Sequence, residues 1–350
     1  MGFHSSRSIV MRLRPLATSI ILGLASTSAM AQWQALPEQA PAPADNPTTS
    51  DKVELGKMLF FDPRISSTGT ISCASCHNVM EGGDDHRPTS MGVHGLQGGR
   101  NAPTVWNAAF LSTQFWDGRA ASLEDQAKGP IANPIEMGMP SLDDAVGRIA
   151  AMPAYAPLFN RAFGSQTIDA DAIAKAIAAY ERTLITPGSA YDRFAAGEAG
   201  ALNEQQKRGL DTFAATGCTA CHSGANFSGP PLPVGTGFFM RFPTFRDSPY
   251  VAQYQLDADK GRETVTGKPQ DANFWRVPSL RNLVYTAPYF HNGSVKSLPE
   301  AVRVMASTQL NKQLGDNEVA DIVAFLETLG GPFPAQSMPR LPPTPGDMLE

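Results

Sequence analysis

The chain has 350 residues, of which 42% are hydrophobic and 17% are charged, and its formal net charge is −5. This length and composition fit one large or two ordinary globular domains with real cores. Basic residues are not clustered, so a role in binding nucleic acid has no electrostatic support. After the N-terminal apolar segment, no stretch reaches the length of a membrane span.

The first 31 residues have the pattern of a bacterial export signal. Three arginines precede the apolar segment LATSIILGLA: Arg7, Arg12 and Arg14. Ala29-Met30-Ala31 then supplies the small residues of a cleavage site. Met11 is an alternative start, because the sequence from Met11 is a complete signal by itself. We therefore predict a signal peptide over residues 1–31, a periplasmic location and no membrane anchor.

The rest of the chain divides into four segments by composition. A leader (32–50) and a tail (332–350) are rich in proline and are predicted to be irregular. Two helical domains are predicted between them, over residues 51–190 and 200–331, with a boundary rich in glycine and small residues. No sustained alternation of apolar and polar residues predicts more than a few short strands.

All four cysteines lie in two identical frames, CASCH at 73–77 and CTACH at 218–222. This spacing lets two thiols reach the two vinyl groups of a porphyrin and places the following histidine under the iron. The alternatives are a redox dithiol, two tight disulfides, or a zinc site, which would not need the adjacent histidines. We predict two covalently bound c-type haems. Their attachment cysteines and proximal histidines would be Cys73, Cys76 and His77, and Cys218, Cys221 and His222.

The two frames belong to a longer internal repeat. Each follows a helical segment in which a glycine precedes an aromatic residue by one turn, Gly56 before Phe60 and Gly209 before Phe213. Each half also ends in a similar helix, AIAKAIAAYERTL and EVADIVAFLETL, which pairs Ile177 with Ile322. The predicted fold is therefore mainly α, with two cytochrome c-like haem domains that arose by duplication.

With these motifs in place, the chain resembles the bacterial dihaem cytochrome c peroxidases over nearly all of its predicted mature length. The resemblance rests on LGKMLFFDPRIS, SCASCHNV, RNAPTVWNAAF, QFWDGRAASLEDQAKGPI, CTACHSG, LRNLVYTAPYFHNG and AVRVMASTQL. It implies that hydrogen peroxide is reduced to water at the N-terminal haem. The electrons would come from a small redox protein, a cytochrome c or a blue copper protein, and would enter at the C-terminal haem.

The resemblance also implies roles for individual residues. His94 matches the distal iron ligand of the oxidised resting enzyme, and Met305 matches the second ligand of the C-terminal haem iron. Trp116 matches a tryptophan between the haems. Three further residues match the distal pocket of the N-terminal haem: Phe115, Gln126 and Glu136. Without the resemblance, Glu136 would be predicted to be a surface glutamate.

The family further implies a homodimer and a calcium ion between the domains. The positions that match its protein ligands are Asn101 and the carbonyl groups of Thr286 and Pro288.

Several residues have competing interpretations. Met240 is nearer than Met305 to His222 in sequence and is the rival iron ligand. His86 has no counterpart in the family pattern and is predicted to be an exposed loop residue. His291 is predicted to make a structural hydrogen bond near the C-terminal haem. The glycines between His77 and His94 predict a loop that can carry His94 off the iron.

Two other functions compete with the peroxidase. A dihaem electron carrier would have no substrate chemistry. A protein-modifying dihaem oxidase would have a tyrosine in place of Met305 and no distal histidine, so Met305 and His94 favour the peroxidase.

Overall fold

The computed structural model describes residues 1–3 and 34–344. The predicted signal peptide therefore lies almost entirely outside the described residues. Helices dominate the described chain, and two three-residue strands form its small antiparallel sheet. The prediction of a mainly α fold with few short strands is confirmed.

The helices follow one another through two halves of the chain. The N-terminal half contains α1 Ser50–Phe61, α2 Cys73–Cys76, α3 Leu123–Ala132, α4 Leu142–Ala150, α5 Ala156–Phe163 and α6 Ala170–Glu181. The C-terminal half contains α7 Ala190–Ala195, α8 Glu204–Thr216, β1 Phe239–Arg241, α9 Pro249–Tyr254, α10 Glu263–Thr266, β2 Phe274–Arg276, α11 Leu298–Leu310 and α12 Asp316–Glu327.

One helix pair forms the centre of each half, and the two pairs make the same contact. In the α1–α6 pair, Gly56 lies directly against the carbonyl oxygen of Ala176. In the α8–α12 pair, Gly209 lies against the carbonyl oxygen of Asp321. Ala176 and Asp321 are equivalent positions in the sequence repeat, so the repeat extends to the closest contact between the helices. The glycines are required because a side chain would hold the helices apart.

The aromatic residues of the repeat reinforce this contact. The ring of Phe60 lies 5.3 Å from that of Tyr180, and the ring of Phe213 lies 5.2 Å from that of Phe325. All four side chains are buried. Each half therefore contains its own core around its helix pair.

Replacing either glycine by alanine is expected to destabilise the protein. The new methyl group of Gly56→Ala or Gly209→Ala would overlap a backbone carbonyl that cannot rotate away. Overpacking of this kind costs about 1–3 kcal/mol, which denaturant unfolding followed by circular dichroism would measure. Gly147→Ala in α4 is the matched control, because an added methyl group meets no atom within 4 Å. It should stabilise the helix by about 0.5–1 kcal/mol. Wild-type stability of Gly56→Ala would contradict the proposed role of the close contact.

A second repeat, which was not predicted from the sequence, links residues 107–132 to residues 282–307. Asn107 and Asn282 both have φ 62°, and Phe115 and Phe290 have φ 67° and 69°. Each segment then closes an antiparallel bridge, between residues 114 and 120 and between residues 289 and 295. Each enters a helix directly after a serine N-cap. Position by position, Trp116 corresponds to His291, and Pro130 corresponds to Met305.

The leader and the tail have no helix or strand within residues 34–49 and 328–344, yet both pack on the folded chain. The backbone N–H of Leu36 donates to Asp192 at 2.8 Å. In the tail, Phe333 packs on Trp106 with their ring centroids 4.8 Å apart. Within the described parts of the chain, no helix combines the length and apolar character needed to cross a membrane.

Candidate haem sites

The two cysteine frames line two separate cavities. Cys73, Cys76 and His77 line a cavity of about 350 Å³ in the N-terminal half. The second frame, at 218–222, lines a cavity of about 230 Å³ in the C-terminal half, whose other walls are largely apolar. The four thiols are free in the structure. Because the two cysteine pairs lie in different cavities, they cannot form one zinc site together.

Both histidines of the frames are held by a backbone carbonyl group. Nδ1 of His77 lies 3.3 Å from the oxygen of Gly83, and Nδ1 of His222 lies 3.0 Å from the oxygen of Phe227. A proton on Nδ1 would satisfy this contact and leave the lone pair of Nε2 for a metal ion. Burial lowers the pKa of both rings, which favours the neutral, ligating form. The residues therefore fit a haem in each cavity.

A buried ion pair fixes the loop that presents the carbonyl group of Phe227. The guanidinium of Arg281 donates to the two carboxylate oxygens of Asp192 at 3.0 and 2.7 Å. Nε of Arg281 also donates to the oxygen of Ala225 at 2.7 Å. Since Ala225 lies two residues before Phe227, the ion pair holds in place the backbone that orients His222.

The N-terminal cavity also brings together the three predicted residues of the distal pocket and Trp116. Phe115, Trp116, Gln126 and Glu136 all lie in its wall together with His77. Gln126 extends from α3, whereas Glu136 lies in the loop that follows this helix.

The Glu136 carboxyl group is half-buried in this wall rather than fully exposed. Burial raises its pKa, and the positive charge of Arg119 opposes part of that shift. The Arg119 guanidinium lies 3.5 Å from the centre of the Phe115 ring. Glu136 is thus a carboxyl group that can exchange a proton closer to neutral pH than an ordinary glutamate.

The two loop histidines lie outside the cavity wall. His94 is exposed, with φ 56°, in the 3₁₀ turn Val93–Gly95. His86 is also exposed, as predicted, and its Nε2 lies 3.1 Å from a carboxylate oxygen of Glu81. The structure therefore does not bring His94 together with Gln126 and Glu136.

The loop of His94 is nevertheless attached to the segment of Glu136. The backbone N–H of Val93 donates to the oxygen of Glu136 at 2.9 Å. Gly92 lies tightly against the backbone of residues 135 and 136, so its lack of a side chain permits close packing. This is a different role from the flexibility that the sequence predicted. Gly95 does have open space around it and φ 73°.

The two cavities differ at one helical position. Met305, the eighth residue of α11, lies in the wall of the C-terminal cavity. Its equivalent, Pro130, is the eighth residue of α3 and lies in the wall of the N-terminal cavity. A thioether can bind iron, whereas a proline side chain has no donor atom. Met240 on β1 also lines the C-terminal cavity, so its position in the cavity does not exclude it as the iron ligand in place of Met305.

Comparisons with known proteins agree with this arrangement. A family model described as di-haem cytochrome c peroxidase matches residues 50–200. A cytochrome c551 peroxidase of Nitrosomonas europaea is 44% identical over 88% of this chain and 88% of its own length. A cytochrome c551 peroxidase of Pseudomonas aeruginosa is 44% identical over 90% of this chain and 88% of its own length.

The chain belongs to the di-haem cytochrome c peroxidase family. It is an oxidoreductase of the cytochrome-c peroxidase class, and family membership implies two haems. The crystal structure of a MauG-like protein associated with microbial copper homeostasis has the same fold. It is 29% identical, with a TM-score of 0.72, over 90% of this chain and 97% of that protein.

In this member of the family, Trp116 lies between the two cavities. It contributes to the walls of both, and its Nε1–H donates to the carbonyl oxygen of Asn101 at 2.9 Å. The backbone N–H of Asn101 in turn donates to the carbonyl oxygen of His291 at 2.8 Å. The two equivalent residues, Trp116 and His291, are therefore connected through one asparagine.

His291 stacks on Trp275, and the structural hydrogen bond predicted for this residue stays a prediction. The imidazole is 2% exposed and lies 4.1 Å from the ring of Trp275. Its Nε2 has no hydrogen-bond partner among the described residues. Burial lowers the pKa of His291 to about 4, so the ring is neutral near pH 7. The motifs QFWDG and YFHNG carry a sequence signal that could have paired His291 with Trp116.

The three positions predicted to bind calcium line the same cavity. Asn101, Thr286 and Pro288 all line the C-terminal cavity. The side-chain N–H of Asn101 donates to the carbonyl oxygen of Arg87 at 2.8 Å. This contact distinguishes the nitrogen of the amide from its oxygen. An amide oxygen and two carbonyl oxygens are ligands that suit calcium.

Proposed function

We propose that this protein reduces hydrogen peroxide to water at a haem bound by His77 and covalently attached through Cys73 and Cys76. The observation that carries the proposal is the difference between the two cavities at equivalent positions. The C-terminal cavity offers a methionine, whereas the N-terminal cavity offers a proline together with Gln126 and Glu136. This difference favours one iron with two protein ligands and one iron with a face left for substrate.

The polar residues of the N-terminal cavity would act on the peroxide itself. The carboxylate of Glu136 would accept the proton of the near oxygen and deliver it to the leaving oxygen, which departs as water. The amide of Gln126 would orient the peroxide by a hydrogen bond. When bound, the haem supplies electrons for breaking the O–O bond. Two electrons and two protons in total convert one peroxide molecule into two water molecules.

The C-terminal cavity would receive the electrons from a small redox protein, a cytochrome c or a blue copper protein. Its haem would be attached through Cys218 and Cys221 and bound by His222 and Met305, whose thioether favours the reduced state. Trp116 lies in both cavity walls and supports a direct route between the two sites.

His94 would bind the N-terminal iron when the protein is fully oxidised and leave it after the C-terminal haem is reduced. The exposed position of His94 on a turn hydrogen-bonded to Glu136 is compatible with such a removable ligand. The periplasmic location, the calcium ion at Asn101, Thr286 and Pro288, and the homodimer remain predictions from the sequence and the resemblance.

Spectra of the protein with one haem reduced test this function. We expect the N-terminal haem to become high-spin and to react with peroxide once the C-terminal haem is reduced. If both haems stay low-spin and inert, the protein is an electron carrier instead. Methionine ligation of the C-terminal haem, seen in the same spectra, would argue against a protein-modifying oxidase.

Replacing His94 by glycine should remove the need for prior reduction. Fully oxidised His94→Gly is expected to react with peroxide, because the distal face has lost its ligand. The matched control is His86→Gly, which removes an exposed histidine from the same segment and should behave as the wild type. A fully oxidised His94→Gly protein that is high-spin yet inert towards peroxide would contradict the proposed function.

A further inference from the structure

A buried carboxyl group of the N-terminal cavity has no part in the function proposed above. Glu181, the last residue of α6, is 4% exposed and lies in the cavity wall with Cys73. Its Oε2 is buried and has no hydrogen-bond partner among the described residues. A carboxylate in such a position would carry an unpaired charge in a medium of low polarity, which is costly.

The duplicated half provides an internal comparison. In the helix repeat that pairs Tyr180 with Phe325, Glu181 corresponds to Leu326. Leu326 is also 4% exposed, and it lines the C-terminal cavity. Because a leucine fills the equivalent position in the C-terminal half, packing in the core does not by itself explain why residue 181 is a glutamate. Glu181 is the only one of the two equivalents that can bind a proton.

The charges around Glu181 leave it without a dedicated counterion. Nη2 of Arg182 donates to a carboxylate oxygen of Glu124 on α3 at 2.7 Å. Nη1 of Arg182 is buried and has no hydrogen-bond partner among the described residues. The ion pair of Arg182 is therefore with Glu124 and not with Glu181.

The balance of these effects favours the protonated form of Glu181. The pKa of Glu181 is raised to about 8, mainly by burial; the charge of Arg182 opposes this shift and that of Glu124 adds to it. On the cavity side, Glu181 interacts electrostatically with the Cys73 thiol, which becomes a thioether when haem is attached. The acid–base equilibrium of Glu181 is therefore set mainly by burial and by the charge of whatever occupies the cavity.

We propose that Glu181 binds a proton when the N-terminal haem is reduced, so that the potential of this haem, and not that of the C-terminal haem, falls as pH rises. The proposal rests on haem binding at His77. An electron from the donor changes the iron from ferric to ferrous, and a proton from solvent adds to the Glu181 carboxylate. The extra negative charge of the site is thereby neutralised, and no bond of the protein breaks. In this proposal Glu181 acts on the haem through its charge and takes no part in breaking the O–O bond.

Potentiometric titration of both haems over a pH range spanning pH 8 tests the proposal. We expect the wild-type N-terminal haem to show a pH-dependent potential. Glu181→Gln, which keeps the shape of the side chain, and Glu181→Leu, which copies the C-terminal half, should both lose this dependence. Asp171→Asn removes an exposed carboxylate from the same helix and should retain it.

An infrared difference spectrum provides a second readout on the unmodified protein. Reduction of the wild-type N-terminal haem should produce the carbonyl band of a protonated carboxylic acid, and Glu181→Gln should lack this band. Retention of the full pH dependence in Glu181→Gln, or absence of the band in the wild type, would overturn the proposal. Because neither readout uses peroxide, failure of the peroxidase proposal would be seen separately, as inertness in the peroxide assay.

Discussion

Replacing Glu136 with glutamine is expected to lower kcat/KM for hydrogen peroxide by about 10²–10⁴-fold, the usual contribution of a general acid–base group. The amide keeps the size of the side chain in the cavity wall but cannot carry a proton between the two peroxide oxygens. Haem content, ligation and reduction of the C-terminal haem should be unchanged. Stopped-flow mixing of the half-reduced protein with peroxide measures the loss directly.

The pH dependence gives this prediction a second readout. Burial raises the pKa of Glu136, so its proton-accepting form is lost as pH falls through that raised value. The wild-type rate should therefore decline on the acid side at a higher pH than an ordinary glutamate would produce. Glu136→Gln should lack this acid limb. The control is Asp125→Asn, an exposed carboxylate beside Gln126. An unchanged rate and pH profile in Glu136→Gln would exclude Glu136 as the proton carrier.

The second large effect is expected from the buried ion pair of Arg281 and Asp192. Arg281 is 1% exposed and Asp192 is 4% exposed. Arg281→Met would leave the Asp192 carboxylate buried without its counterion, which costs about 3–5 kcal/mol. The free energy of unfolding, measured with denaturant, should fall by this amount. The spectrum of the C-terminal haem should also change, because Arg281 holds the backbone that orients His222.

An exposed pair and a double variant control this measurement. Arg208 pairs with Asp321 on the surface, and its side chain is 60% exposed. Arg208→Met should therefore change stability by less than about 1 kcal/mol. The double variant Arg281→Met with Asp192→Leu should recover part of the loss, because no unpaired charge remains. Equal stability of Arg281→Met and Arg208→Met would show that the buried pair contributes little.

The sequence allowed much of this protein to be predicted because its strongest signals are local. A haem attachment frame needs only five consecutive residues, and CASCH and CTACH contain them. The helices around Gly56 and Gly209 were also predictable, since a glycine and an aromatic residue one turn apart lie on the same face. The predicted helical segments are DKVELGKMLFF (51–61) and NEQQKRGLDTF (203–213). The structure places α1 at Ser50–Phe61 and α8 at Glu204–Thr216, within a few residues of them.

Other features could not be predicted because they depend on three-dimensional equivalence. Pro130 and Met305 share no side-chain chemistry. The motifs QFWDG and YFHNG are a short signal for aligning them, whereas the matching turns before α3 and α11 place both residues at the same position of the structure. The burial of Glu181 could not be predicted from the sequence for a similar reason. An acid followed by an arginine at the end of a helix normally indicates a solvated surface, and tertiary packing overrides that pattern here. The position of the exposed His94 outside the cavity wall likewise depends on the folded conformation of its loop.

The position of the tail, which is described as far as residue 344, has a consequence for how the protein is made. The tail leaves the C-terminal half, yet three of its residues reach the N-terminal half. Phe333 covers Trp106, the side chain of Gln336 accepts from the hydroxyl of Tyr180 at 3.0 Å, and Thr344 accepts from Arg64 at 2.8 Å. Because synthesis proceeds from the N-terminus, the half that is made first receives these contacts only after the rest of the chain has emerged. The surface over Trp106 is thus completed last, so a product truncated before the tail would expose it even if both haems had been attached.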